Sequence, residues 1–284
     1  MYEDIFKRII KSSKTHSLTF FVGAGVSTLS KAPKWSDLLS EICKEINIDP
    51  KPKYTSDECL QIPQIYYCSI NKDEKAYYSF IQSLFSKHKL LPNEIHRKIF
   101  DFNPASIITT NFDQLLENAA TEYCKGYRVI ACDNEIPNIN GNKFILKLHG
   151  DFEHKNIVFK EEDYLNYSEI FKLTETILKS VFSTNTVVFI GYGLNDYNIK
   201  LVLNWAKNLL KDKFNKPIFI YTDDDELYTI PGTPPNLAHE IKGDAFAPRN
   251  QFALNIDLRV EPPMFDVPGS NSHKVASWLM HEKA

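Results

Sequence analysis

An α/β fold, doubly wound around a mostly parallel sheet, is what this sequence predicts, on three observations. Short apolar, β-favouring runs recur along the chain at Leu18–Val22, Ser106–Thr109, 144–148, Thr186–Ile190 and 217–221. Runs that are apolar at nearly every position fit strands covered by helices on both faces. Segments with helical periodicity lie between them, and that alternation implies a parallel sheet with crossover helices. Finally, the first run ends abruptly in Gly23-Ala24-Gly25-Val26-Ser27. A buried parallel strand hands over in this way to a turn that lets the backbone approach a pyrophosphate. Together these features predict a Rossmann-like sheet.

The helices follow from spacing. Residues 3–12 place Ile5, Phe6, Ile9 and Ile10 at helical intervals. Residues 35–46 put Trp35, Leu38, Leu39, Ile42 and Ile46 on one face, with Ser36 as the expected cap. Residues 56–90 read as mostly helical, with Pro63 expected to kink or interrupt them, and 93–100 as a short helix. The stretch 35–100 is too long for one crossover, so a small helical subdomain inserted after the first strand is expected. Further helices are predicted over 113–123, 169–182 and 199–210. From Pro231 the character changes: prolines crowd in, lysine thins, and only Leu254, Ile256, Leu258 and Val260 alternate like a strand. The reading is a catalytic domain over 1–230 and a Pro-rich C-terminal extension over 231–284, mostly loop or poorly ordered.

Composition narrows the class. A 284-residue chain with a net charge of -3 gives no electrostatic reason for general nucleic-acid binding. Its apolar runs are too short for a membrane span. Acid at Glu3 and Asp4, where a signal peptide carries base, points to the cytoplasm. The five cysteines form no Cys-x-x-Cys pair, so neither a zinc ribbon nor a redox pair is expected, and free thiols are. His88 and His154 lack partners at metal-ligand spacing, and no metal site is predicted.

Three more motifs sit at predicted strand ends, where an open α/β sheet places ligands. They are Thr110-Asn111-Phe112-Asp113, Lys147-Leu148-His149-Gly150-Asp151 and Gly191-Tyr192-Gly193-Leu194-Asn195-Asp196. Each has a plain structural explanation: Asn111 or Asp113 as a helix cap, His149 and the glycines as turn residues. The glycine turn is no P-loop, since Gly-Lys-Ser/Thr is absent, and Thr28 stands where a dinucleotide fingerprint has its last glycine. Convergence of all the motifs on one sheet edge favours a site. Tyr164 and Tyr167 fall near the His149 segment, as pocket lining or as packing.

In that order, Gly23-Ala24-Gly25-Val26-Ser27, Thr110-Asn111-Phe112-Asp113, His149-Gly150 and Gly191-Tyr192-Gly193 resemble a sirtuin-type NAD-consuming domain, over roughly residues 18–221. The likeness is greatest to the bacterial branch that degrades NAD in anti-phage defence. The resemblance implies that Gly23, Ala24 and Gly25 hold the pyrophosphate through backbone N–H groups and that Ser27 lies on the nicotinamide side. It implies that Asn111 orients the ribose and an attacking water, and that Asp113 takes a hydrogen bond from the nicotinamide carboxamide. His149 becomes the general base, and Gly191 and Gly193 approach the adenosine half. The implied activity is NAD+ hydrolysis to nicotinamide and ADP-ribose, with NAD+ as substrate and no other cofactor. The alternatives are a non-catalytic NAD or ADP-ribose-binding module and an NAD-dependent protein deacylase. Deacetylating sirtuins carry Pro-Asp-Phe-Arg where this chain has Pro33-Lys34-Trp35-Ser36, and a four-cysteine zinc module where residues 150–190 have no cysteine. Both departures argue against deacylation and against zinc. A protein activator or partner subunit and a homo-oligomer are expected, because an unregulated NADase would harm its host.

Overall fold

The computed structural model describes residues 2–86, 89–123, 125–139, 143–192, 197–220, 264–266 and 274–276. It divides into two compact units, Met1–Asp223 and Asp224–Ala284. In the second, the described residues form an antiparallel pair, Met264–Asp266 with Lys274–Ala276. The strand predicted around 254–260 lies outside the described residues. Among the described residues no helix is long and apolar enough to cross a membrane.

The first unit begins with α1 (Tyr2–Lys14), β1 (Leu18–Val22) and a short α2 (Ala24–Thr28). Next come α3 (Trp35–Glu45), α4 (Ser56–Ser69), α5 (Glu74–Ser86) and α6 (Glu94–Asp101). β2 (Ser106–Thr109), α7 (Leu115–Glu122), β3 (Arg128–Ile130) and β4 (Phe144–Lys147) follow. The unit continues through α8 (Glu161–Leu165), α9 (Tyr167–Ile170), α10 (Lys172–Thr184), β5 (Thr186–Ile190), α11 (Tyr197–Leu210) and β6 (Ile218–Ile220). The six strands form one sheet in the order β3-β4-β2-β1-β5-β6, and every pairing is parallel. The predicted α/β class is therefore observed. β3 escaped the sequence reading because its three residues begin with the exposed Arg128 and carry no apolar run.

Alternate residues of each strand feed two cores. Phe20, Val22, Ile107, Ile145 and Val188 pack with Ile9 of α1, Ile99 and Phe100 of α6, and Leu116 and Ala119 of α7. On the other face, Phe21, Ile108, Leu146 and Phe189 pack with Leu178 and Phe182 of α10 and Ala206 of α11. α3, α4 and α5 build a third core from Leu39, Ile42, Ile62, Tyr66, Tyr77 and Ile81. α3, α4 and α5 share that core with Phe112, Ile157 and Phe159, while α6 packs Ile99 and Phe100 into the sheet's own layer. Pro63 neither breaks nor ends α4. The interruption falls after it, where Asn71 and Lys72 adopt positive φ. Nor does Ser36 cap α3: Lys34 is the N-cap, and its amide donates to the Asp37 carboxylate.

Asn93 joins α6 to the first turn of the site. Its Oδ1 accepts from the Ile95 and His96 amides, while its Nδ2 donates to Val26 O and Ser30 Oγ. His96 returns the contact, its Nδ1 accepting from the Asn93 amide at 3.1 Å. His96 is buried, and burial holds its pKa below the ordinary 6.5 against a smaller opposing pull from Asp113. Its contribution to stability is therefore complete above the unfolded value and is lost as pH falls through the folded one. Urea unfolding midpoints are expected to drop between about pH 7.5 and about pH 5.5, and His96→Gln, which keeps an acceptor at N3, to flatten that dependence.

Candidate functional site

Register brings the four motifs level. Val22 pairs with Thr109 on one side and Ile190 on the other, and Thr109 pairs with Lys147. The chain leaves the sheet at these four residues, so β4, β2, β1 and β5 release their motifs along one edge about 14 Å wide. β1 is also where the winding direction reverses, the position at which open α/β sheets bind ligands.

The glycines serve close packing. Gly23 N donates to Ile190 O and Gly25 N to Gly191 O, both at 2.9 Å. A Cβ on Gly23 would stand 2.3 Å from Gly191 O, and Gly191 itself sits at φ +61. The two turns therefore interlock backbone to backbone. The amides of Gly23 and Gly25, which the sequence reading gave to a pyrophosphate, are engaged with strand β5 and its turn. Gly193 lies outside the described residues.

Asn111 and Ser27 meet. Both are buried, and Asn111 Nδ2 donates to Ser27 Oγ at 3.1 Å. Thr109 fixes the approach: its Oγ1 donates to Val22 O and accepts from the Asn111 amide. Asp113 is half-buried, and its Oδ1 accepts from the Leu115 amide across a tight turn just before α7, whose N-cap is Gln114. His149 stands two residues beyond Lys147, as Asn111 stands two beyond Thr109, so the two occupy matching places on neighbouring strands. His149 is 4% exposed, and its ring lies against Tyr164 (5.4 Å), Tyr167 (6.3 Å) and Phe112 (6.4 Å). The turn behind it is held by Val158 N donating to His149 O and by Gly150 at φ +65 beside Asn156.

Two supporting residues were not assigned roles from sequence. Phe112 is a hub: Trp35, Phe85, Phe152 and Phe159 surround it at 5.8–6.2 Å, tying the segment between Asn111 and Asp113 to α3 and α5. Lys147 is completely buried, and its Nζ donates to Asp113 O at 2.8 Å and to the Glu117 carboxylate. Burial raises the Glu117 pKa, and Lys147 partly opposes the rise. A lysine inside Phe144-Ile145-Leu146-Lys147-Leu148 was the available signal, since an ammonium among apolar strand residues needs a partner. A cavity of about 420 Å³ opens beside the site, lined by Phe85, Phe112, Asp113, Asn118 and Phe152 among others.

A family described as a SIR2-like domain matches residues 105–242. Defense-associated sirtuin 2 of Bacillus subtilis is 44% identical over 225 residues, covering 78% of this chain and 22% of that protein. The NAD(+) hydrolase ThsA of Cytobacillus dafuensis is 25% identical over 211 residues, covering 73% of this chain and 42% of its own. The chain thus spans about a fifth of the first relative and less than half of the second. A relative of another kind is the oligopeptide transport ATP-binding protein OppD of Bacillus subtilis, 50% identical over 68 residues, or 24% of this chain and 18% of that protein. With its all-parallel sheet and its ordered strand-end motifs, the chain carries a SIR2-like domain.

Proposed function

We propose that the first unit hydrolyses NAD+ to nicotinamide and ADP-ribose, and that this activity depletes NAD in anti-phage defence. The observation that carries the reading is the pair Asn111 and His149, buried at matching places past two neighbouring strands, with Ser27 bonded to Asn111. The names of the defence sirtuin and of the NAD(+) hydrolase among its relatives support it.

The chemistry asks little covalent work of the protein. Nicotinamide leaves NAD+ as a neutral amine when the C–N bond to ribose breaks, because the ring nitrogen takes the bonding pair and loses its positive charge. The sugar carbon becomes oxocarbenium-like and is captured by water, which gives up a proton. An amide side chain donates and accepts at once, so Asn111 suits the orientation of ribose and water. A neutral imidazole carries a ring nitrogen that can take a proton, which suits His149 to the base role at the ribose or the water. Asp113, Gly191 and Gly193 complete the proposed NAD+ contacts, with Gly23, Ala24 and Gly25 shaping the turn beneath them. A protein activator or partner subunit and a homo-oligomer belong to the same proposal, as does a cytoplasmic location.

Purified protein is incubated with NAD+, with and without an acetylated peptide, and nicotinamide and ADP-ribose are followed. Release without peptide is expected, falling by about 10²–10⁴-fold in His149→Ala and by a comparable factor in Asn111→Ala. Turnover that requires the peptide, or release unchanged in both variants, would overturn the reading.

A further inference from the structure

The cysteine spacing gave no metal site, yet the fold brings His154 to Cys132 and Glu135, which lie 22 and 19 residues before it. β3 and β4 are neighbours. Beyond β3 the chain enters a 3-10 turn, Asp133–Asn138, preceded by Cys132. Beyond β4, past His149, it reaches His154. One ligand atom each from Cys132, Glu135 and His154 lies within 4.8 Å of the others. His154 Nε2 stands 3.5 Å from Glu135 Oε1. A tetrahedral zinc ion sets such donor atoms about 3.4–3.6 Å apart, given its usual bond lengths.

The orientation of each donor is fixed from behind. His154 Nδ1 is 2.9 Å from the buried Asp151 carboxylate, which also accepts the His154 amide, so the ring presents Nε2 toward Glu135. A carboxylate behind a histidine in this manner sets the tautomer and raises the basicity of a metal ligand. The other Glu135 oxygen accepts from the Ala131 amide at 2.8 Å. Asn156 bridges the two segments, donating to Ala131 O and accepting from the Asp151 amide. Cys132 carries no disulfide and is half-buried.

We propose that Cys132, Glu135 and His154 form a binding site for a single divalent transition-metal ion, zinc by its sulfur, nitrogen and oxygen donor set. Solvent fills the fourth position, because His154 is exposed. Binding displaces the Cys132 thiol proton to solvent and leaves a thiolate on the metal. The ion ties the 3-10 turn to the loop that follows His149, so its occupancy bears on how firmly the His149 turn is held. The site lies one strand along from β4, next to the place where NAD+ is proposed to bind, uses none of the residues assigned to NAD+, and stands whether or not that proposal does.

The test titrates the full chain, kept reduced, with Co2+ and then with Zn2+ against a chromophoric chelator. One equivalent is expected to bind, with a thiolate-to-cobalt charge-transfer band that Cys132→Ser abolishes. His154→Gln is expected to weaken Zn2+ by at least about 10-fold, and Asp151→Asn, which touches no metal, by about 10–100-fold. Circular dichroism confirms that each variant is folded, and His154→Gln alters only an exposed side chain. Retention of the band in Cys132→Ser, an unchanged Zn2+ affinity in His154→Gln, or no competitive uptake by the wild-type chain would overturn the proposal.

Discussion

Gly23→Ala is expected to cost at least about 3 kcal/mol of stability, the upper end of ordinary overpacking. The added carbon would lie 2.3 Å from Gly191 O and 2.7 Å from Tyr192 Cα. Both are backbone atoms, so no side-chain rotation relieves the clash. The Gly23 backbone is extended and unstrained; the demand for glycine is purely one of space. Relief requires β1 and β5 to part at their exits, which breaks the Gly23 N to Ile190 O and Gly25 N to Gly191 O bonds as well. Out of a total that is typically about 5–15 kcal/mol, the loss should be plain in urea unfolding. Gly126→Ala is the control: nothing stands within 4 Å of its Cβ position, and a change within about 0.5 kcal/mol is expected there. Equal effects at both positions would refute the interlocked-turn account.

Lys147→Met is expected to destabilise the protein by about 3–5 kcal/mol, because it strands the Glu117 carboxylate without its cation. The lysine side chain has no exposure and the glutamate little. Glu117 already has a raised pKa, from burial first, with Lys147 among the groups that hold it down. A carboxyl raised in the folded state gives its full contribution below its unfolded pKa and loses it as pH rises through the folded value. Without Lys147 the pKa rises further. The variant's deficit should therefore be smallest in acid, where Glu117 is protonated, and should grow toward neutral pH. Glu117→Gln added to Lys147→Met should restore much of the loss. A deficit that does not change with pH would show that the pair is not the cause. Activity should fall too, since Lys147 also anchors the Asp113 carbonyl.

The fold was legible where strands were apolar on both faces, as in Leu18–Val22 and Thr186–Ile190, and where amphipathic spacing was strong, as in α3 and α11. β3 and the 3-10 turn were not legible, being short and half-polar. Asn111, Ser27 and His149 stood out because each follows a glycine-marked or apolar strand end, and the structure brings Asn111 to Ser27. What sequence could not supply was the partner of each group. Lys147 and Glu117 are 30 residues apart, and Asn93 meets Ser30 across 63. Separations of that kind are set by the winding of the sheet and leave no local pattern. The same holds for His154, which the pairing of β3 with β4 brings to Cys132 and Glu135.

The placement of β1 has a consequence for how this protein comes into being. Leu18 pairs with Thr186, and Thr19 with Ser106. The central strand is thus synthesised well before both of its neighbours, which arrive some 80 to 170 residues later. Loop closure over such distances slows folding, and parallel pairing permits no short hairpin to begin it. Until β5 emerges, Gly23 and Gly25 lack the carbonyls they bind, and the turn that shapes the site has no template. Maturation of the whole sheet edge therefore waits on residue 191, so a nascent or truncated chain ending earlier is born without the site.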